Sequence, residues 1–245
     1  MDTNSKLLAL YKSKFDELSP RISVYNENLC LKNEEDKNQA TNPLMLMIDE
    51  DWEKADLKVM IFGQENNFWG GECGNGGAFG GKINEVIEIY NKFYLKDTMY
   101  SCPFWNEFRR IRSEISTNDK KVAVLWNNIV KIGRLGPGFN LEIHQITKQY
   151  FNVIQDEIKI LQPDLLIFFT GPKYNERIQE ALGEFSNIEI DGFSARQMCN
   201  IEFKEFPGIK KSIRTYHPGY LYRNKNRRLK FINKILLEIK IFMNQ

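Results

Sequence analysis

The chain has 245 residues, 42% hydrophobic and 27% charged, with a formal net charge of +2. This composition describes a soluble globular protein of one large or two small domains and excludes a disordered or low-complexity chain. No apolar run is long enough to cross a bilayer, and Met1-Asp-Thr-Asn-Ser-Lys6 lacks the charged-then-apolar pattern of a secretion signal, so cytoplasmic residence and no membrane partner are expected. The four cysteines, Cys30, Cys73, Cys102 and Cys199, include no Cys-x-x-Cys pair. Free thiols are therefore expected, with no metal site.

Leu7 to Leu18 has apolar residues near helical spacing and predicts an N-terminal helix. Residues 20–50 are polar and irregular, and predict a wrapping arm. Leu57–Phe62 predicts a strand closing at Gly63, and a glycine-rich run follows from Gly70 to Gly81. Ile83 to Tyr94 predicts a helix, and Pro103 heads another through Ile115, proline being well placed in a first turn. Lys121–Trp126 predicts a second strand that stops at Asn127-Asn128. A turn with Gly133, Gly136, Pro137 and Gly138 leads to one helix over about 142–161.

Leu165–Phe169 predicts the third strand, closing at Thr170-Gly171-Pro172, and Lys173 to Leu182 a helix. Residues 185–206 read as a small strand excursion, in the manner of a hairpin. Ser212–Tyr216 predicts the fourth strand, and Leu229–Met243 a final amphipathic helix. Near-continuous apolar strands separated by helices imply a sheet covered on both faces with parallel crossovers. The expected fold class is α/β: a three-layer α/β/α architecture with a four-stranded, mostly parallel central sheet. A single domain over residues 1–245 is expected, its helix and arm occupying 1–50.

A parallel sheet gathers its C-terminal strand ends along one edge, where open α/β folds place their chemistry. That edge would collect Gly63-Gln64-Glu65-Asn66-Asn67, Asn127-Asn128, Thr170-Gly171-Pro172 and His217-Pro218. The chain has only two histidines. One at a strand end beside a proline suits hydrogen-bond or proton donation near neutral pH, the alternative being an ordinary turn histidine. No Gly-x-x-x-x-Gly-Lys-Ser/Thr run is present. The glycines after Gly70 lack the strand-to-helix context of a dinucleotide fingerprint and read as a flexible loop. No cofactor is expected. Between Lys204 and Lys230 the chain carries nine basic residues against Glu205 alone, which points to an anionic partner or to a solvated helix face.

Three of these strand-end runs resemble motifs of the uracil-DNA glycosylase superfamily. Gly63-Gln64-Glu65-Asn66-Asn67-Phe68 is similar to its first motif, Gly-Gln-Asp-Pro-Tyr-His. Val124-Leu125-Trp126-Asn127 stands where the family has Leu-Leu-Leu-Asn, and His217-Pro218-Gly219-Tyr220-Leu221 where it has His-Pro-Ser-Pro-Leu. Pro103-Phe104-Trp105-Asn106 resembles the family's proline loop, which presses on DNA phosphates. The order and spacing agree from about residue 57 to 230.

The resemblance implies an enzyme that extrudes a nucleotide from DNA and hydrolyses the bond between base and sugar. It implies that His217 donates to uracil O2 as the base departs, and that Glu65 orients or deprotonates the attacking water. Asn127 would pair with the base edge, its carboxamide offering donor and acceptor; its alternative role is capping the following turn. Gln64, Asn66 and Asn67 would complete the base pocket. Phe79 and Phe68 compete to stack on the base, and either could instead be core. Leu221 would fill the gap left by the flipped base or simply pack the last helix. Pro103, Gly219, Tyr220, Arg223, Arg227 and Arg228 would contact DNA, and a monomer is implied.

The first motif departs from the family. Glu65 is one methylene longer than aspartate, and a misplacement of about 1 Å can cost ~100-fold in rate. Asn66 and Asn67 replace proline and a tyrosine that, in the family, blocks the thymine methyl group. Gly219-Tyr220 replaces Ser-Pro. A second expectation is therefore a catalytically silent protein that keeps the fold to bind nucleic acid or a nucleobase. A third, a nucleotide- or sugar-handling α/β enzyme, lacks a phosphate motif.

Overall fold

A computed structural model describes residues 2–32, 36–66, 68–70, 77–116 and 119–244. In chain order the elements are α1 (Thr3–Leu31), α2 (Glu50–Glu53), β1 (Leu57–Glu65), α3 (Ile83–Tyr90), α4 (Pro103–Ile115), β2 (Val122–Val130), α5 (Leu141–Tyr150), α6 (Ile154–Leu161), β3 (Leu165–Phe168), α7 (Asn175–Leu182), β4 (Phe185–Glu189), β5 (Met198–Phe203), β6 (Lys211–Thr215), α8 (Pro218–Leu221) and α9 (Lys225–Met243). The fold is α/β. The strands form one sheet in the order β2-β1-β3-β6-β5-β4. No helix among the described residues is long and apolar enough to cross a membrane.

The sheet is larger than expected, and mixed. β1, β3 and β6 run parallel, in the register Val59–Leu165–Lys211 through Phe62–Phe168–Arg214. β4 and β5 form the anticipated hairpin, but it does not stand apart. β5 pairs antiparallel with β6 through Met198–Thr215, Cys199–Arg214 and Asn200–Ile213, and β4 pairs with β5 beyond it. The physical reason is the open edge of β6, whose backbone groups need partners; the nearest strand in sequence supplies them.

The chain forms two compact units. One comprises residues 1–48, 65–99 and 128–161, the other 49–64, 100–127 and 162–245. In the first unit α1 continues well beyond the expected Leu18, into what the sequence suggested was an irregular arm. Leu7, Tyr11, Phe15, Leu18, Ile22, Tyr25 and Leu29 are all buried at spacings of three and four. Pro20 lies on the exposed face of this helix. A helix-interior proline costs about 3 kcal/mol, but burial of Ile22, Tyr25 and Leu29 contributes about 1.5–3 kcal/mol each and outweighs it.

After α1, residues 41–48 form no helix or strand and are largely buried. Their amides are satisfied one by one: Thr41 donates to Gly133 O, Leu44 to Lys131 O, Leu46 to the Tyr11 hydroxyl and Ile48 to Asn4 Oδ1. The helix expected over 142–161 is instead two, α5 and α6, separated by residues 151–153. Phe151 and Val153 are both fully buried. Residues two apart cannot share a helix face, so burying both breaks the helix.

Behind these helices lies a polar network that the sequence does not announce. Lys131 Nζ donates to Glu157 Oε1 at 2.7 Å, and the Tyr11 hydroxyl donates to the same oxygen at 2.7 Å. The lysine and glutamate side chains are 2% and 0% exposed. Burial lowers the Lys131 pKa, and it raises that of Tyr11, with the Glu157 carboxylate adding to the rise.

Candidate functional site

The second unit carries the parallel strands, and their shared register brings three C-terminal ends to one level. Pairing continues just past them: Phe169 N–H donates to Phe62 O at 2.9 Å, and Gly171 N–H to Thr215 O at 2.8 Å. Gln64 Nε2 donates to Thr170 O at 2.8 Å, tying the end of β1 to that of β3. Gly171 has φ +75°, a conformation open to glycine, and lets the chain turn beside the Tyr216 ring. Thr170 is buried, and its hydroxyl has no hydrogen-bond partner among the described residues.

His217 leaves β6 at this edge and caps α8, a single turn headed by Pro218. Its Nδ1 accepts from Gly219 N–H at 3.1 Å. A Cβ on residue 219 would lie 3.1 Å from that nitrogen, so glycine allows the backbone to come this close. The imidazole lies 5.8 Å from the Phe104 ring at 13°, and Phe104 in turn meets Phe169 edge-on at 6.3 Å. Burial pushes the His217 pKa down to about 4. The ring is therefore neutral at pH 7. Because Nδ1 accepts, its one proton is on Nε2, and it presents a fixed N–H donor.

Beside His217 is a cationic corner. Tyr220 is 39% exposed, with its ring 4.8 Å from that of Tyr216. The guanidinium carbons of Arg227 and Arg223 lie 5.0 and 5.6 Å from the Tyr220 ring centre. Most other basic residues of this stretch are already neutralised. Lys204 pairs with Glu184 at 2.6 Å, Lys210 with Asp164 at 2.6 Å and Lys211 with Glu238 at 2.5 Å. Arg214 is buried against the carbonyls of Ala195 and Arg196. Arg228 lies over Tyr222 and 3.6 Å from the buried Glu107. Arg223, Lys225 and Arg227 have no carboxylate partner among the described residues.

Other expected site residues are placed differently. β2 does not stop at Asn127-Asn128 but runs to Val130, and both asparagines are buried within it. Ile129 and Val130, β-branched and buried, carry the strand on. Asn127 is 0% exposed, and its Nδ2 approaches Met60 Sδ at 3.7 Å. Met60 precedes Gln64 by four residues, about 13 Å of strand, so the amide is set into the sheet below the strand ends. Leu221 is fully buried, the packing role left open above, because the turn of α8 points it inward. Pro103 occupies the first turn of α4, as the sequence suggests.

In the first unit, Glu65 is half-buried at the end of β1. Asn66 is 4% exposed, and its Nδ2 donates to Asn42 O at 3.2 Å. Phe68 has φ +60° and is 48% exposed. Phe79 packs its ring against Phe15 of α1 at 5.7 Å, the core role left open above. Asn67, Cys73 and residues 71–76 of the glycine-rich run lie outside the described residues. Among the described residues no group of three or more His, Cys, Asp or Glu could hold a metal ion.

The sequence reading gathered Thr170 at this edge without giving it a role, and gave Phe104 none. Phe104 was adjacent to the singled-out Pro103, but an aromatic residue inside a helix ordinarily signals core. No protein-family model matches the chain, and no curated protein sequence matches it.

Proposed function

We propose that this protein is a DNA glycosylase. It hydrolyses the N-glycosidic bond of uracil or a related damaged base flipped out of DNA, on a three-layer α/β/α fold of the uracil-DNA glycosylase type. The observation that carries the reading is His217: a neutral imidazole whose Nδ1 is tied to Gly219, leaving Nε2–H as a donor at the strand-end edge. Water attacks the anomeric carbon, the bond to the base breaks, and the electron pair leaves with the base. A preorganised neutral donor stabilises the charge that builds on the base oxygen, without first having to lose a proton. Glu65, which follows Gln64 on β1, takes the proton of the water. Arg223 and Arg227 bind the backbone phosphates. The protein acts as a cytoplasmic monomer, without a metal or cofactor.

A second reading, a catalytically silent nucleic-acid or nucleobase binder, is favoured by the burial of Asn127 and Leu221. The test is base release from single- and double-stranded oligonucleotides carrying uracil or other altered bases, read as alkali-sensitive breaks. With His217→Ala, release should fall by about 10²–10³ while DNA affinity stays within a few-fold. Salt-sensitive binding with no release from any base selects the binder, and DNA affinity that is flat with salt removes DNA from both readings.

A further inference from the structure

The imidazole of His217 is held at two points of different kinds. Gly219 N–H fixes Nδ1 at 3.1 Å, but one hydrogen bond leaves the ring able to swing about that atom. A swing of about 30° carries Nε2 through about 1 Å, and a misplacement of that size can cost ~100-fold in rate. The second point is a flat face. The Phe104 ring lies 5.8 Å from the imidazole at 13°, an offset stack that opposes the swing.

Phe104 can hold another ring because its own is clamped. Cys102 is extended and Pro103 opens α4, so residue 104 belongs to a first turn set by the proline. The Phe104 ring meets Trp105 edge-on at 4.9 Å, Phe169 edge-on at 6.3 Å, and Phe108, one turn along α4, at 6.3 Å and 29°. Phe169 directly follows β3, so this aromatic group ties α4 to the sheet edge that His217 leaves. Burial is the one cause that lowers the His217 pKa, and no charged group contributes. The charged residues nearest in sequence on α4 and after α8 are engaged elsewhere: Glu107 with Arg110 and Arg228, and Arg223 and Arg227 over Tyr220. We propose that Phe104 is the positioning residue of this site: its ring, stacked on the imidazole, holds the Nε2–H donor in a single orientation at the strand-end edge. The proposal rests on the glycosylase reading for its use.

The imidazole is read by long-range proton–nitrogen NMR of the full chain through a pH titration. Only two histidines are present, so His144→Gln identifies the signals of His217. The parent should show one tautomer, protonated on Nε2. In Phe104→Ala the Nδ1 and Nε2 signals should draw together as tautomers mix, and the ring should titrate at least about one pH unit higher as water reaches it. Base release from a uracil oligonucleotide should fall about 100-fold in kcat, with KM within a few-fold. Phe104→Tyr keeps the flat face and should restore the single tautomer and most of the release. Phe104→Leu, close in volume but without a flat face, serves where the alanine variant does not fold, and should also mix the tautomers. A folded Phe104→Ala or Phe104→Leu whose imidazole keeps the parent's tautomer and pKa would overturn the proposal. Absence of base release from the parent itself counts against the glycosylase reading alone, since the spectra need no substrate.

Discussion

His217 ties the geometry of the strand-end edge to the stability of the fold, and that link is measurable. In the unfolded chain its imidazole titrates near 6.5; in the native chain burial holds it neutral to about pH 4. Between those values the unfolded state binds a proton that the native state refuses, so stability falls as the pH is lowered. The contribution is complete above about pH 6.5 and is lost progressively down to about pH 4. At about 1.4 kcal/mol per pH unit the ceiling is about 3 kcal/mol. The ring is not wholly enclosed, and solvent screening lowers the expectation to about 2 kcal/mol. The assay is urea denaturation of the parent and of His217→Asn at pH 7, 6, 5 and 4. Asparagine keeps an acceptor for Gly219 N–H but does not titrate. Carboxylates titrating over the same range are common to both proteins and cancel in the difference. The stability gap between parent and variant should therefore close by about 2 kcal/mol from pH 7 to pH 4. Parallel curves would show that the imidazole is not held neutral, and the donor argument would go with it.

Lys131→Met should cost about 3–5 kcal/mol by stranding the Glu157 carboxylate, and adding Glu157→Leu should recover most of that loss in urea midpoints. Leu221→Ala should destabilise by about 2–5 kcal/mol, as for any filled core position, whereas Tyr220→Ala should cost less than about 1 kcal/mol and weaken oligonucleotide binding instead. Arg223→Ala and Arg227→Ala should each reduce the slope of log affinity against log salt by about one, measured by fluorescence anisotropy with a labelled oligonucleotide.

β1 and β3 were legible because they are short apolar runs closed by a turn signal, and β6, Lys-Ser-Ile-Arg-Thr, because the His217-Pro218 turn follows it. α4 was legible at both ends, its start fixed by Pro103. The continuation of α1 was missed because residues 20–50 read as polar and irregular, while the burial that carries the helix on comes from tertiary packing of Ile22, Tyr25 and Leu29. The two asparagines misled for a related reason. Polar residues ordinarily end a buried strand, but Asn127 and Asn128 are carried inside by the apolar residues on either side. Tyr11 and Glu157 are 146 residues apart, and Lys131 and Glu157 are 26 apart. No local pattern could have joined them.

Charge shows most clearly what linear reading loses and what the fold restores. Counted along the chain, residues 204–230 look like a broad cationic surface, with nine bases against one acid. The acids that answer them come from elsewhere: Asp164, Glu184, Glu238 and Glu107 each meet one base of this stretch. Arg214 is withdrawn into the interior. What remains without a carboxylate among the described residues is Arg223, Lys225, Arg227 and Lys230; Lys230 is held by Gly192 O and the Phe193 ring, and the two guanidiniums lie over one exposed tyrosine ring. Like charges on neighbouring turns repel, so holding two on one ring is favourable chiefly when an anion joins them. The case for a phosphate partner thus rests on the three of these four cations that lie next to α8 in the chain, Arg223, Lys225 and Arg227, rather than on nine. It is the stronger for it, because those three flank the turn that also fixes His217.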